Sequence, residues 1–334
     1  MKLNKIILTL AMSLLVVSGS KAVLADQTTT SSDNVSSSET QSVQTKALSQ
    51  AYVVYGSGLA SEDKDKINDA LGVKSNYKEL TATGSDYAKY INNSGTTDAS
   101  MISCVSLAPA DPGTGVKVNI ENYDGSNNIT EVTSQQYAMV ATMAGVKDVI
   151  ITVTADKSVS GESALTGVYK ALANDGLTLD QQNTQAANSV LDATQTAINE
   201  NKDNDKYPGK LMSAVGNVSA DLAKQKQSDD QLATKDDIKK MLDDALEKQG
   251  IKDETSNTTI NNIVVALSGV QAAPVSNTKS YVSNAKNVAD SLQNSVGDKM
   301  ADLKDFANSD DAKKAKGALQ NIWDAIVSFF KNLF

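Results

Sequence analysis

The strongest secondary-structure signal in the chain lies in residues 135–172, which read QQYAMVATMAGVKDVIITVTADKSVSGESALTGVYKAL. In the middle of this stretch, residues 149–153 are all apolar or β-branched, which favours a buried strand. Before the strand, Thr133 and Gln136 have the spacing of a capping box, and the apolar residues that follow recur at helical intervals. After the strand, a second amphipathic helix ends at Asp175 and Gly176. The stretch therefore predicts a helix–strand–helix unit.

The same alternation is found on the amino-terminal side of this unit. Residues 51–55, 101–107 and 116–120 are strand-like, and Ser61 is expected to cap a helix that Gly72 ends. Further helices are predicted over residues 85–91 and 180–200. Strands that alternate with helices indicate an α+β fold, in which residues 50–200 form an N-terminal α/β module of about four strands with packed helices.

Beyond the polar residues 199–210, the chain is predicted to be helical. Apolar stripes at helical spacing lie within residues 211–222 and 238–246, and Thr234 with Asp237 caps the second of these helices. A further stripe over residues 282–303 predicts one long amphipathic helix. Residues 263–267 fit a strand or a helix equally well. We therefore expect an all-α C-terminal region over residues 201–310.

The amino-terminal residues have the pattern of an export signal. Lys2 and Lys5 precede a short apolar core over residues 6–17, and Val23 with Ala25 supplies the small-residue pattern of a cleavage site. We expect residues 1–25 to be a signal peptide that is cut after Ala25, the alternatives being an uncleaved anchor or a buried helix. Residues 26–49 are mostly Ser, Thr, Gln, Asn and Asp, which predicts a disordered spacer.

Composition excludes several classes of chemistry. The 334 residues include no His and one Cys, and a reading of the sequence finds no Arg, so all 31 basic residues are Lys. Without His there is no Ser-His or Cys-His catalytic pair and no His-ligated metal, and one Cys cannot build a thiolate cage. The formal charge of −9 argues against nucleic-acid binding, which needs a basic surface. We expect no cofactor, no metal and no catalytic residue.

Three segments together resemble a known family. They are residues 52–73 (YVVYGSGLASEDKDKINDALGV), residues 105–120 (VSLAPADPGTGVKVNI) and residues 135–172 quoted above. The chain resembles the YpuA-like family of secreted Gram-positive proteins, a domain of unknown function, over roughly residues 50–300. The resemblance implies an exported protein with an N-terminal α/β module and a helical C-terminal module. It assigns no catalytic residues.

Two features that suggest chemistry are better explained as structure. The loop Gly56-x-Gly58-x-x-Ser61 follows a strand as a dinucleotide-binding loop does, but its third glycine is absent. The acidic residues of the following turn would repel phosphate while stabilising the helix, so a tight turn is expected. Cys104 lies in an apolar strand without a basic neighbour in sequence, which predicts a buried, inert thiol.

Other motifs are common by chance. The pattern Ser-x-x-Lys has no accompanying Lys-Thr-Gly, so a Ser-Lys hydrolase is a weakly supported option. Acidic pairs recur at residues 229–230, 236–237 and 243–244, and are expected to be helix caps and a solvated face. Oxygen-bearing side chains alternate over residues 122–128, where a plain turn at Asp124-Gly125 is favoured over a cation site. The Ser-x-x-Lys pattern named above begins at Ser18, Ser61, Ser75, Ser276, Ser283 and Ser328.

The C-terminal residues 311–334 carry the most distinctive pattern in the sequence. Residues 312–334 would form an amphipathic helix of about 34 Å at the standard rise per residue. Three of the four Phe and the sole Trp fall within the last twelve positions, and the helix has a local charge of 4 − 1 = +3. The side chains expected to contact a membrane or a partner are Leu319, Ile322, Trp323, Ile326, Phe329, Phe330, Leu333 and Phe334.

This segment suits an interfacial helix that is attracted to anionic lipid and, equally, a helix that docks on the protein's own core, because periodicity does not say what the apolar face contacts. We therefore expect a secreted, non-catalytic interaction protein of the Gram-positive cell surface or medium. Its expected partner is a membrane surface, a wall polymer or another envelope protein, and not a nucleic acid. The alternatives are a cell-envelope hydrolase using Ser-Lys or paired carboxylates, and a secreted membrane-perturbing factor.

Overall fold

The computed structural model describes residues 48–297 and residue 300. In this part of the chain, the strands are β1 (Tyr52–Gly56), β2 (Lys78–Ala82), β3 (Cys104–Pro109), β4 (Val116–Ile120) and β5 (Val149–Thr154). The helices of the first half are α1 (Lys64–Leu71), α2 (Gly84–Ile91), α3 (Ser134–Met143), α4 (Glu162–Asn174) and α5 (Gln181–Glu200). Those of the second half are α6 (Tyr207–Asp229), α7 (Lys235–Gln249), α8 (Asn257–Ala272) and α9 (Lys279–Leu292).

The five strands form one mixed sheet in the order β2-β1-β3-β5-β4. The pairs β1–β2 and β4–β5 are parallel, and each is connected through a helix. Strand β3 lies between them and runs antiparallel to both β1 and β5. The predicted α+β fold is confirmed, with strands in the N-terminal half and helices throughout the second half.

The central strands of the sheet are buried on both faces, and alternate residues of each strand point to opposite faces. On one face, residues such as Tyr52, Val105 and Ile151 join the large core beneath α3 and α4. On the other face, a smaller cluster that includes Val53 and Cys104 packs under α1. Since the central strands are covered on both sides, their apolar runs are nearly continuous, as in residues 149–153.

Local signals place most of the helix ends. Thr133 accepts a hydrogen bond from the Gln136 amide at 3.2 Å, and the Gln136 side chain completes the predicted capping box of α3. Thr234 and Asp237 form the predicted box of α7 in the same way. Helix α1 ends at Gly72, whose φ of 64° is the left-handed conformation that glycine adopts without strain.

The helices of the second half extend the core beneath α3 instead of forming a separate one. Helix α6 packs along α9, and α3 contacts both of them. At their meeting point the Met139 side chain of α3 approaches Gly216 of α6 so closely that a Cβ there would overlap with it, and Ala289 of α9 adjoins the same position. Buried side chains therefore connect the sheet with α9.

Three details differ from the sequence predictions, and one open alternative is resolved. The sheet has a fifth strand, β2, whose residues are largely exposed because it lies at the edge. Ser61 does not cap α1; it lies in a short 3-10 turn, and Asp63 is the residue that precedes the helix. The long helix predicted over residues 282–303 ends at Leu292, so Val296 and Met300 lie beyond it. Residues 263–267 are helical, within α8.

No helix in the described part of the chain is long and apolar enough to span a membrane.

Candidate functional site

The contact residues predicted in the C-terminal segment lie outside the described part of the chain. These residues are Leu319, Ile322, Trp323, Ile326, Phe329, Phe330, Leu333 and Phe334. The signal peptide and nearly all of the spacer, up to residue 47, lie outside it as well. The described residues instead show what the other candidate motifs do.

The glycine loop after β1 is occupied by backbone contacts. The Ser57 amide donates to the Ala82 carbonyl at 2.9 Å, and the Gly58 amide donates to the Met101 carbonyl at 2.8 Å. A Cβ on Gly56 or Gly58 would overlap with a backbone carbonyl of the neighbouring segment, so close packing accounts for both glycines. The tight turn is confirmed, and the Ser57 and Gly58 amides are not free to hold phosphate.

Cys104 is buried, as predicted. Burial raises the pKa of its thiol to about 12, the Gly56 amide opposing this rise by donating a hydrogen bond to the sulfur at 3.4 Å. A thiol with so high a pKa is not a thiolate at neutral pH, and only the thiolate is a good nucleophile. The side chain acts as a small apolar residue of the sheet.

Among the described residues, the hydroxyl of Ser276 in a Ser-x-x-Lys motif binds a lysine, but this lysine is Lys226 and not Lys279 of its own motif. The Lys226 ammonium donates to Ser276 Oγ at 3.0 Å and to the Gln271 carbonyl at 2.8 Å. The hydroxyl itself donates to the carbonyl of Gln271 or Ala273, each at 2.7 Å. Burial lowers the pKa of the Lys226 ammonium, but in its protonated form it donates to Ser276 Oγ and cannot take the serine proton. In this arrangement the serine is held as a helix-end contact.

Other Ser-x-x-Lys positions are also used in local structure. Ser283 donates to the Ser280 carbonyl at 3.0 Å. The lysine that follows Ser61, Lys64, pairs with Glu79 of β2 at 2.7 Å. Ser18 and Ser328 lie outside the described residues. The motif therefore brings no serine together with its own lysine at these described positions.

The acidic pairs occur on two helices, not on one. Asp230 ends α6 in the left-handed conformation, and Asp237 caps α7. Asp243 forms ion pairs with Lys239 at 2.6 Å and Lys252 at 2.5 Å. The interpretation as caps and a solvated, ion-paired face is confirmed for these residues.

The loop over residues 122–128 is a tight hairpin turn. Tyr123 and Ser126 exchange backbone hydrogen bonds of 2.9 and 3.0 Å, and Asp124 and Gly125 between them both have positive φ. This is the geometry of an Asp-Gly hairpin turn. The Asp124 carboxylate pairs with Lys66 of α1 at 2.7 Å, so the predicted turn is confirmed.

One cluster of titratable groups was missed by the sequence analysis. The Tyr87 hydroxyl of α2 donates to Glu162 Oε2 at the start of α4. Asp192 of α5 lies close enough for the Glu162 charge to act on it. Partial burial, and then this neighbouring charge, raises the pKa of Asp192, while burial and the two carboxylates raise the pKa of Tyr87. These residues are far apart in sequence, so no spacing indicated the cluster.

Within the cluster, the Glu162 charge adds to partial burial in disfavouring the ionised form of Asp192. Beside the cluster, Lys170 of α4 pairs with Asp86 of α2 at 2.6 Å, so the Lys170 charge is already neutralised by a carboxylate. Within residues 48–297 and residue 300, no three acidic or Cys side chains are arranged to hold a metal ion. The arrangement is an acidic pair on α4 and α5 that accepts a hydrogen bond from Tyr87 of α2.

Comparison with known proteins identifies similarity to uncharacterised sequences. A family model described as "Protein of unknown function (DUF1002)" matches residues 55–288. The "Uncharacterized protein YpuA" of Bacillus subtilis (strain 168) is 29% identical over 298 residues, which cover 85% of this chain and 91% of the relative. No solved structure matches the chain significantly.

Proposed function

The chain belongs to the DUF1002 family of proteins of unknown function, and we propose that it is a secreted, non-catalytic interaction protein of the Gram-positive cell surface or medium. We propose that residues 1–25 direct its export and that its C-terminal helix makes peripheral membrane contact. The concentration of aromatic residues at the C-terminus, in a chain with only 4% aromatic residues, is the observation that carries this proposal.

The chemistry of residues 312–334 supports membrane contact. Each large apolar side chain that enters the lipid interface contributes about 1.5–3 kcal/mol, so burial of a few suffices for reversible binding. The local charge of 4 − 1 = +3 adds attraction to anionic lipid, although the whole chain is acidic. Apolar and basic residues on one segment are typical of an interfacial helix.

The described residues support a non-catalytic role. Cys104 is buried with a raised pKa, and Ser276 is held by Lys226 and backbone carbonyls. The loop amides at Ser57 and Gly58 bind backbone oxygens. The groups from which the sequence could have built a nucleophile or a phosphate site therefore serve the fold.

Vesicle binding tests the membrane proposal directly. We expect the chain from Asp26 to Phe334 to co-sediment with vesicles of phosphatidylglycerol and to bind phosphatidylcholine vesicles more weakly, because the segment is basic. A chain that stops at Lys316 should lose this binding. Since Trp323 is the sole Trp, its fluorescence reports on the segment alone, and its emission should shift to shorter wavelength on binding.

A matched pair of variants controls for charge. Ile326→Asp places a carboxylate on the apolar side of the predicted helix, whereas Ser328→Asp places the same charge two positions on, on the opposite side. We expect the first to weaken binding at least tenfold and the second to have a small effect. Equal vesicle binding by the complete and shortened chains, or an unshifted Trp323 emission, would refute the proposal.

A cell-envelope hydrolase using paired carboxylates is the second candidate. The observation in its favour is the raised pKa of Asp192, which partial burial and the Glu162 charge cause, since carboxyl groups that act as general acids have raised pKa values. This candidate requires that Asp192 take part in bond cleavage of a wall polymer. It is therefore distinguished from the first by the behaviour of an Asp192 variant.

A further inference from the structure

The exposed sides of α5 and α8 form a surface almost without charge. Helix α8 has no Lys, Asp or Glu among its 16 residues, and the 20 residues of α5 have only Asp192 and Glu200. In the whole chain, 21% of residues are charged. The neighbouring helix α7 carries charges on every turn. Solubility alone does not explain why two surface helices avoid charge, since exposed positions usually carry it.

The two helices lie side by side and antiparallel. At one end, the Asn201 side-chain amide donates to the Glu254 carbonyl at 3.1 Å, just after α5 and just before α8. Further along, a Cβ on Gly269 would lie 3.8 Å from the Ala186 Cβ. Their solvent-facing residues therefore form one surface, which we name the α5/α8 face: Gln182, Gln185, Ser189, Ala193, Thr196, Thr258, Asn261, Asn262, Val265, Gly269 and Ala272.

The charged residues of α5 lie at the margins of the face. Asp192 is on the flank of the helix where Glu162 of α4 acts on it, away from α8. Glu200 is the last residue of α5. Near the middle of the face, Val265 is 56% exposed, which is unusual for a large apolar side chain in the described part of the chain. An uncharged surface around an exposed apolar residue shares with interface cores their depletion of charged residues.

We propose that the α5/α8 face is the contact surface between two copies of this chain. A net charge of −9 makes two copies repel each other, so a contact between them meets the least repulsion where the surface carries no charge. A carbohydrate partner fits this face less well, because neither helix contains an aromatic residue on which a sugar ring could stack.

The size of the face suits a two-fold dimer. Helix α5 is about 30 Å long, and two adjacent helices with their side chains are about 20 Å wide. The face therefore covers about 600 Å² per copy, or about 1,200 Å² in total, where stable specific interfaces begin. An antiparallel helix pair that meets its own copy across a two-fold axis forms a four-helix arrangement, which is a closed and self-complementary contact.

Sedimentation equilibrium of the chain from Asp26 to Phe334 tests this proposal. We expect the wild-type chain to dimerise at about 100 µM or below, as an interface of this size allows. Val265→Asp should weaken the dimer at least tenfold, because it buries two like charges near the two-fold axis. Leu232→Asp is the matched control, since Leu232 is 52% exposed but lies in the loop after α6. A monomeric wild-type chain, or equal effects of the two variants, would overturn the proposal.

Thiol cross-linking provides a second measurement that needs no charge change. Because Cys104 is buried and its pKa is raised to about 12, a cysteine introduced at the surface would be the reactive thiol. With a short bismaleimide, Val265→Cys should give more cross-linked dimer than Leu232→Cys. Equal or weaker cross-linking of Val265→Cys would count against the face. Both variants keep the C-terminal segment, so association through that segment would affect them equally.

Discussion

Asp192 and Asp86 show how single carboxyl groups in one region have opposite electrostatic environments. Partial burial and the Glu162 charge raise the pKa of Asp192. Partial burial would also raise the pKa of Asp86, but hydrogen bonds from Lys170 and Thr83 outweigh burial and lower it. The folded state therefore disfavours the charged form of Asp192 and favours that of Asp86, which gives the two groups opposite effects on stability.

We predict that Asp192→Asn stabilises the protein at pH 7. A carboxyl group with a raised pKa in the folded state binds its proton more tightly there than in the unfolded state. Its ionised form therefore lowers the free energy of unfolding, fully above the folded-state pKa and not at all below the usual value of 3.8. The gain should be about 1 kcal/mol or less, because solvent screens an exposed pair. Thermal unfolding at pH 7 and at about pH 3 should show the gain at the higher pH alone.

Asp86→Asn is the control of opposite sign. Its lowered pKa contributes stability that is present above the usual value of 3.8 and is lost as the pH falls through the lower folded-state pKa. This variant should lose about 1 kcal/mol at neutral pH, including its helix-capping bond. A melting temperature of Asp192→Asn below that of wild type at pH 7 would contradict our account.

Release of soluble fragments from isolated cell walls by wild type, and its loss in Asp192→Asn, would favour the hydrolase.

At the scale of elements, the end of α8 depends on a lysine from another helix. Lys226 of α6 donates to the carbonyl of Gln271 in the last turn of α8 and to Ser276 in the segment that follows. The last carbonyls of a helix lack partners within it, and a positive charge there also interacts favourably with the helix dipole. The contact joins α6, α8 and the connection to α9.

We predict that Lys226→Met destabilises the protein by about 1–3 kcal/mol, because it removes hydrogen bonds from a charged donor and leaves their acceptors unpaired. Methionine keeps an apolar side chain of similar length, so packing is largely retained. Lys224→Met, an exposed position on the same helix, should change stability by no more than about 0.5 kcal/mol. Urea unfolding of both variants measures the difference, and equal effects would show that the Lys226 contacts contribute nothing specific.

For the whole molecule, the shared core between sheet and helices is the main energetic feature. The sequence predicts an α/β module and a separate helical region, which differ in secondary structure. In the structure, α3 packs on the sheet with one side and on α6 and α9 with the other. The α/β module and the helical region therefore bury apolar side chains of one another, and neither region buries all of its apolar surface alone.

We predict a single cooperative unfolding transition. Leu292 of α9 is fully buried, so Leu292→Ala should lower the stability of the sheet and helices together by about 2–5 kcal/mol. Lys286→Ala, on the exposed side of α9, should have little effect. Calorimetry combined with circular dichroism tests this expectation. Two separate transitions, with Leu292→Ala shifting only one of them, would indicate independent domains.

Features that depend on neighbours within a few positions were predictable from the amino-acid order. The helices α3 and α4, the strand β5, the boxes at Thr133 and Thr234, and the turn at Gly72 follow from periodicity and capping chemistry, which act over one or two turns. The buried thiol of Cys104 follows from its apolar strand. The interfacial role of residues 311–334 stays a prediction.

Features that depend on which surfaces meet were not predictable from local patterns. Strand β2 carries exposed, charged residues and exists because its backbone pairs with β1 at the sheet edge. Tyr87 meets Glu162, and Lys226 meets Ser276, across long separations in sequence. The α5/α8 face is visible only when the two helices lie together. The spacing of apolar residues indicates which side of a helix or strand is apolar. Tertiary packing decides what that side contacts, because the hydrophobic effect is non-directional and does not specify a partner.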